Sequence, residues 1–426
     1  MTTAVAVFTR DLRVHDNPVL AAAARADRVV PLFVRDPRID GGGRARFLDE
    51  SLADLDRSLR ELGGRLVVRS GDPATEIGRV ASEVGAERVH ISGDVSAYAK
   101  ARESALGDQL VVHDDVHTVI APGAVLPNNK DHYAVFGAYH RCWLDAPRRR
   151  RASTPSGLKL PKIRPGDVPK VRGDGGETAG RKRAAEWLAD DVRDYVDQHD
   201  ALAADRTSRL SPYLHLGCVS ALDLESRAGS SAGAEAFIRQ LAWRDFHHQV
   251  LAARPDATHR DYRPRNDRWR DDDEALDAWR EGHTGIPIVD AGMRQLLAEG
   301  WMHNRARLIT ASFLTKTLYL DWRAGADHFF AHLLDGDLAN NSLNWQWVAG
   351  TGTDTRPNRV LNPLRQAERY DPDGEYVRRY VPELSKVDGR AVHEPWKLRP
   401  ADRRGYPMPI VDLADARARF LTARGA

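Results

Sequence analysis

The stretch Val29-Val30-Pro31-Leu32-Phe33-Val34 is apolar without a break. A run this short reads as a strand buried on both faces, as in a parallel sheet. Val5 to Phe8, Leu66 to Val68, Val89 to Ser92 and Leu110 to Val112 read the same way. Between them, Asn17-Pro18 opens one helix, Leu48 to Leu62 forms a second, and Asp72-Pro73 opens a third. This βαβ rhythm predicts an α/β domain with a doubly wound, parallel, Rossmann-like sheet. No G-x-G-x-x-G follows the first strand, so a dinucleotide site there is not expected. Gly41-Gly42-Gly43 reads as a flexible loop.

Working outward, residues 131–183 form the expected linker. From Arg148 onward this segment is rich in Pro, Gly, Lys and Arg and keeps no sustained apolar period. From Ala184 the pattern becomes helical. Ala184 to Val196, Ala234 to Leu251, Asn304 to Leu318 and Ala326 to Leu334 are candidate helices, and Pro287 and Gly300 bracket another over Ile288 to Glu299. The expected organisation is therefore an α/β domain over 1–130, a linker over 131–183 and an all-α domain over 184–426.

The totals narrow the class. A chain of 426 residues with 42% hydrophobic and 29% charged residues has room for two sizeable cores. The net charge of +2 divides into −2 over residues 1–130 and +4 over the remainder, so any nucleic-acid site must be a local patch. Cys142 and Cys218 lie far apart, which excludes a disulfide scaffold and a cysteine-based zinc module and fits a reducing cytoplasm. Charges fall too early for a secretory leader, and no apolar run approaches the ~20 residues of a membrane span.

Two segments carry the chemistry. Asp335-Gly336-Asp337-Leu338-Ala339-Asn340-Asn341-Ser342-Leu343-Asn344-Trp345-Gln346-Trp347 joins two acids, an amide run and two indoles. Acids and Asn are weak helix formers and Trp is costly unless packed, so these residues suggest a pocket for a large, flat, polar-edged ligand rather than a plain structural helix. Thr207-Ser208-Arg209-Leu210-Ser211-Pro212 gathers three hydroxyls before a helix-starting proline. That arrangement suits a pyrophosphate, although the pattern alone favours an ordinary N-cap turn.

Together these segments resemble the DNA photolyase and cryptochrome family, as do Thr9 to Asn17, Trp243-Arg244-Asp245-Phe246, Trp301 to Arg305, Thr351 to Pro357 and Val392 to Trp396. Within the family the likeness is to class I photolyases acting on cyclobutane pyrimidine dimers. The resemblance implies FAD, held at its phosphates by Tyr195, Thr207, Ser208, Arg209, Leu210 and Ser211. It implies that Asp335, Gly336 and Asp337 line the flavin, with Asn341 facing its N5 edge. Trp269, Trp322 and Trp345 correspond to the family's electron relay. Gln240, Trp243, Arg244, Asn304, Arg305 and Trp347 correspond to its lesion cavity, with Trp243 and Arg244 also on the cofactor side.

The implied activity is light-dependent dimer repair in UV-damaged DNA by electron transfer from excited reduced FAD, in a cytoplasmic, monomeric enzyme of a bacterium or archaeon. The alternative is a cryptochrome-type photoreceptor, including the DASH type. An antenna chromophore is implied in the N-terminal domain, bordered by Asp36 to Phe47 and Asp94 to Tyr98. An 8-hydroxy-deazaflavin is favoured there over methenyltetrahydrofolate. Two positions depart from the pattern. Gln240 stands where dimer enzymes often carry Glu, and an amide cannot deliver a proton. His199 stands where a DNA-contacting Arg is frequent.

Overall fold

The computed structural model describes residues 1–39 and 42–425. Gly41 of the expected glycine loop lies outside them. Five strands form one parallel sheet: β1 (Thr3–Phe8), β2 (Arg28–Arg35), β3 (Val67–Ser70), β4 (Arg88–Ser92) and β5 (Leu110–His113), in the order β3-β2-β1-β4-β5. Val5 pairs with Val30 on one side and Val89 on the other, and all three are buried because helices cover both faces. The helices α1 (Pro18–Ala23), α2 (Arg44–Glu61), α3 (Pro73–Val84) and α4 (Ala97–Ala105) connect the strands. Asn17 and Asp72 cap α1 and α3 through their side chains, each followed by the proline that suits a first helical turn.

Part of the segment expected as linker is helical. Residues 136–145 form α5 (Phe136–Asp145), whose Phe136, Tyr139 and Trp143 are buried at helical spacing. The next helix, α6 (Glu177–Ala189), begins before the predicted domain start. After it come α7 (Tyr195–Gln198), α8 (Ser211–His215), α9 (Ala221–Arg227) and α10 (Ala232–Ala253). The chain divides into two compact units, Met1–Val196 with Ser208–Pro255, and Asp197–Thr207 with Asp256–Ala426. The boundary thus falls well beyond the sheet.

Buried polar groups explain this. Glu177 accepts the backbone N–H groups of Val14 (2.7 Å) and His15 (3.1 Å). One oxygen of Asp245 on α10 accepts Val119 N–H (3.0 Å), Ile120 N–H (2.9 Å) and the Trp143 indole N–H (2.9 Å). Arg13 donates to the Gly217 carbonyl (2.9 Å). Gly217 has φ +65°, and a Cβ there would lie 1.8 Å from the Arg10 carbonyl oxygen, so the close approach needs glycine. Removing α10 would strand buried donors, each costing about 1–3 kcal/mol.

The second unit is helical. Its elements include α11 (Asp273–Glu281), α12 (Pro287–Glu299), α13 (Asn304–Ser312), α14 (Trp322–His332), α15 (Leu338–Ala349) and a terminal helix, Leu413–Ala423. The helix expected over 304–318 changes character midway, since Phe313–Leu318 is π-helical and ends at Tyr319 in a left-handed conformation (φ +59°). π-segments often occur at functional sites. Trp279, Trp322, Trp345, Phe313, Phe329 and Tyr376 lie in one buried cluster. Among the described residues, no helix is long and apolar enough to cross a membrane.

Candidate functional site

The Asp335–Trp347 segment is helical from Leu338, contrary to the expectation drawn from its weak helix formers. The end groups and packing account for this. Asp337 is the N-cap and accepts Asn340 N–H at 2.9 Å, while Gly350 closes the helix in the left-handed conformation. Leu343, Trp345, Val348 and Ala349 then bury one face, outweighing intrinsic propensity. Gln346 is fully buried and hydrogen-bonds on both sides of its amide: it accepts Tyr262 N–H (2.7 Å) and donates to the Ala257 (2.6 Å) and Arg260 (3.0 Å) carbonyls.

Beside α15 lies a cleft of about 490 Å³, open to solvent, bordered by Asn304, Arg307, Asp335, Asn341 and Trp345 among others. Arg307 pairs with one oxygen of Asp335 at 2.8 Å, and the other oxygen is buried without a partner. Gly336 sits in the turn where Asp337 N–H reaches back to the Asp335 carbonyl at 2.6 Å. The Asn341 amide donates to the Ala326 carbonyl at 2.9 Å, leaving its own oxygen as an acceptor with no protein donor among the described residues. A buried carboxylate oxygen without a donor is expensive, so its natural complement is a ligand N–H. With the Trp345 ring in the wall, the cleft fits a flat heteroaromatic ring that carries donors on its edge.

Trp322 and Trp345 are buried in the same cluster, and Trp269 packs against it half-exposed. A Cβ on Gly325 would lie 2.3 Å from the Trp345 ring, so only glycine admits that ring against α14. Gly325 is three residues beyond Trp322, on the same face of the helix. The Trp322 indole donates to Asp261 at 2.9 Å. Phe329 (4.9 Å) and Trp279 (5.9 Å) also stand edge-on to Trp345; the sequence did not single them out.

Trp347 is half-buried, with the Arg359 guanidinium 5.3 Å from its ring centre. Asn304 is exposed at the start of α13. Arg305, expected to meet substrate, is held by both oxygens of Asp200 (3.1 and 2.6 Å) and lies over Tyr370. Both partners remain partly exposed. His199 lies 3.7 Å from the same carboxylate. His303 caps α13 by accepting Arg305 N–H through Nδ1, and burial pushes its imidazole down to about 4, so it is neutral at pH 7.

The remaining expected residues belong mainly to the first unit. Gln240 is exposed on α10, three residues before Trp243 and on the same helical face. Trp243 stacks on Phe136 with ring centres 3.7 Å apart and planes 7° from parallel. One indole face is therefore taken by protein, and Phe246 and His247 also lie against the ring, with centres 5.5 and 5.6 Å away. Phe136 was missed because it lies within the predicted linker. Arg244 donates to the His117 and Leu214 carbonyls.

Tyr195 stands edge-on to Trp187 and Phe237. The Ser208 hydroxyl accepts Leu210 N–H at 3.3 Å, Leu210 is buried, Arg209 is left-handed (φ +49°), and Ser211-Pro212 opens α8. In form this is an ordinary turn before a helix, yet the buried hydroxyl of Thr207, in the second unit, has no partner.

A parallel α/β sheet is joined by sequence to a helical unit with an indole-walled, half-satisfied cleft, and sequence likeness defines the class. The chain belongs to the DNA photolyase family. Residues 4–158 match the model "DNA photolyase" and 237–426 the model "FAD binding domain of DNA photolyase". The chain is 56% identical to a deoxyribodipyrimidine photo-lyase of Streptomyces griseus, over all of both chains. A class III photolyase of Agrobacterium tumefaciens superposes with a TM-score of 0.92 at 33% identity, covering 100% of this chain and 97% of the other. An archaeal photolyase of Sulfolobus tokodaii, described with two FAD molecules, gives 0.87 at 28% identity over all of both chains. The chain thus carries the FAD-binding domain that its cleft fits.

Proposed function

We propose that this protein is a deoxyribodipyrimidine photo-lyase that repairs cyclobutane pyrimidine dimers in UV-damaged DNA with light. The observation that carries this reading is the cleft beside Asp335, whose orphaned carboxylate oxygen, free Asn341 oxygen and Trp345 wall suit a flavin ring. End-to-end likeness to a photo-lyase supports the same choice. Bound FAD supplies light absorption and the electron for splitting the dimer.

The chain's own residues bind and orient. Asp335, positioned by Arg307 and the Gly336 turn, accepts a ring N–H, and Asn341 offers its oxygen to the reactive edge. Asp337 fixes the start of α15. Tyr195, Thr207, Ser208, Arg209, Leu210 and Ser211 hold the phosphates. Trp345, Trp322 and Trp269 carry an oxidising equivalent outward when the oxidised cofactor is photoreduced. On the substrate side, Trp347 stacks on the lesion and Asn304 hydrogen-bonds it; the family likeness assigns Trp243 and Gln240 to the same substrate. A dimer stacks and pairs poorly, so extruding it from the duplex costs little, and photolyases are a familiar example of such base flipping.

In functional terms residues 1–130 serve as the antenna domain and 184–426 as the catalytic domain, in a monomer that works on DNA in the cytoplasm. The antenna is an 8-hydroxy-deazaflavin rather than methenyltetrahydrofolate, bordered by Asp36, residues 42–47 and Asp94 to Tyr98. Tyr98 donates to Asp36 at 2.6 Å on this border.

The test is to reduce the flavin of the purified protein and illuminate it with DNA carrying one thymine dimer, in single and double strands. Loss of the dimer from both supports the proposal. Repair of single strands alone would move the protein to the DASH type, and photoreducible FAD without repair would make it a photoreceptor.

A further inference from the structure

One lysine of the π-helical segment is buried without a counter-ion. Lys316 is 2% exposed, and its ammonium donates to the Pro357 and Arg359 carbonyls, both at 2.8 Å. Among the described residues no carboxylate pairs with it, and the Phe420 ring of the terminal helix lies 5.7 Å from the nitrogen. Burying a charge without a counter-ion is costly, and packing alone would be served by Met or Leu. Both carbonyls belong to the loop that follows α15. A Cβ on Gly350 would lie 2.3 Å from the Pro357 carbonyl oxygen, so the start of the loop closes against the same group. Leu361 N–H donates to the Ser312 hydroxyl of α13 at 3.2 Å, and Arg359 N–H to the Arg356 carbonyl at 3.1 Å. The backbone at Arg359 is thus held from both sides, while its side chain is exposed. That side chain carries the guanidinium 5.3 Å from the Trp347 ring centre.

We propose that Lys316 is a positioning residue for DNA recognition, fixing the backbone of residues 357–359 so that Arg359 covers one face of Trp347 and holds the ring ready for the lesion. The assignment rests on the reading of Trp347 as the residue that stacks on the lesion. A cation over one indole face leaves the other for a base, and a ring already oriented loses less freedom on binding. The hold depends on charge, because a hydrogen bond from an ammonium is roughly twice as strong as one from a neutral amine. Burial lowers the Lys316 ammonium to about 7; Arg424 and Arg359 add to the effect, and Asp354 and Asp267 oppose it. Lys316 is therefore charged at pH 6 and neutral at pH 8.5, and its grip on the loop weakens as pH rises through 7.

The test is dark binding of the FAD-loaded protein to DNA carrying one thymine dimer, read by fluorescence anisotropy. Wild type, Lys316→Met, Arg359→Ala and the double variant are compared, with undamaged DNA as the reference. At pH 6, Lys316→Met should bind dimer-containing DNA about fivefold more weakly, the worth of one cation–π contact. It should cost little further once Arg359 is replaced, since the two residues act through one contact. The ratio of wild-type to Arg359→Ala affinity should fall between pH 6 and pH 8.5. That profile needs no change at Lys316, so it decides the matter even where Lys316→Met does not fold. Unchanged binding by a folded Lys316→Met, an equal loss with and without Arg359, or a ratio constant across the pH range would each overturn the proposal. A wild type that does not prefer the dimer to undamaged DNA would show that the reading of Trp347 is wrong, and the Lys316 assignment falls with it.

Discussion

Asp335→Asn tests the cleft most directly. In the wild type one carboxylate oxygen faces Arg307 at 2.8 Å and the other is buried and unpartnered. Asn has one acceptor oxygen and one NH₂ group. If its oxygen stays with Arg307, the NH₂ group points where a ligand N–H must donate, and two donors meet. If the amide turns round, its NH₂ group faces the guanidinium. Either way the ligand loses a hydrogen bond to a charged acceptor, worth about 1.5–3 kcal/mol. At 1.4 kcal/mol per tenfold, FAD affinity should fall roughly 10- to 150-fold. Equilibrium dialysis with fluorescence of free FAD measures this, and thermal unfolding of the FAD-free proteins separates lost affinity from lost folding. A folded Asp335→Asn protein that binds FAD within about twofold of wild type would refute the reasoning, since a twofold change is well below one such bond.

Three further outcomes are expected. Trp347→Ala should weaken binding to dimer-containing DNA by about 1–3 kcal/mol, the worth of one stacked base, while FAD content stays unchanged; fluorescence anisotropy and flavin absorbance check the two arms. Phe136→Leu removes the stacked pair behind Trp243 and should cost about 0.5–1.5 kcal/mol in the same binding assay, a smaller loss because Trp243 itself remains. Asp245 is held up to about 6 by burial, against 3.8 unfolded. The folded state therefore binds its proton more tightly, so this group's contribution to stability is full below about pH 4 and declines by roughly 3 kcal/mol as pH rises through 6. Asp245→Asn can still accept the same three donors through its oxygen, so its urea midpoint should lack that component of the decline across the window.

The sheet was legible because strands covered on both faces must be apolar throughout, and its runs end within a residue or two of the observed strands. The helix after Pro287 was legible because proline and glycine mark its two ends. The helix at Phe136 was not, since its apolar stripe is set in a segment otherwise rich in charge and proline. Helicity over Leu338–Ala349 was hidden by weak formers whose deficit is offset by the Asp337 cap and the buried face. Nothing local marks the π-helical turn after Ser312, because its residues are as apolar as those before it. The candidate site was legible as residue types, but not as pairings. Asp200 engages Arg305 from 105 positions away, and Phe136 meets Trp243 from a distant helix. Such partners are fixed by packing, which spacing along the chain does not encode.

The three donors gathered by Asp245 also set an order of events during synthesis. Val119 and Ile120 leave the ribosome 126 and 125 residues before their acceptor. At about 5–20 residues per second, the sheet waits roughly 6–25 s for α10 to arrive. Throughout that interval the amides of Val119 and Ile120 lack their native partner, as does the Trp143 indole once it is made, 102 residues before Asp245. The nascent N-terminal half is therefore a natural client for a holding chaperone, and codons that slow translation between residues 145 and 245 would lengthen its vulnerable period.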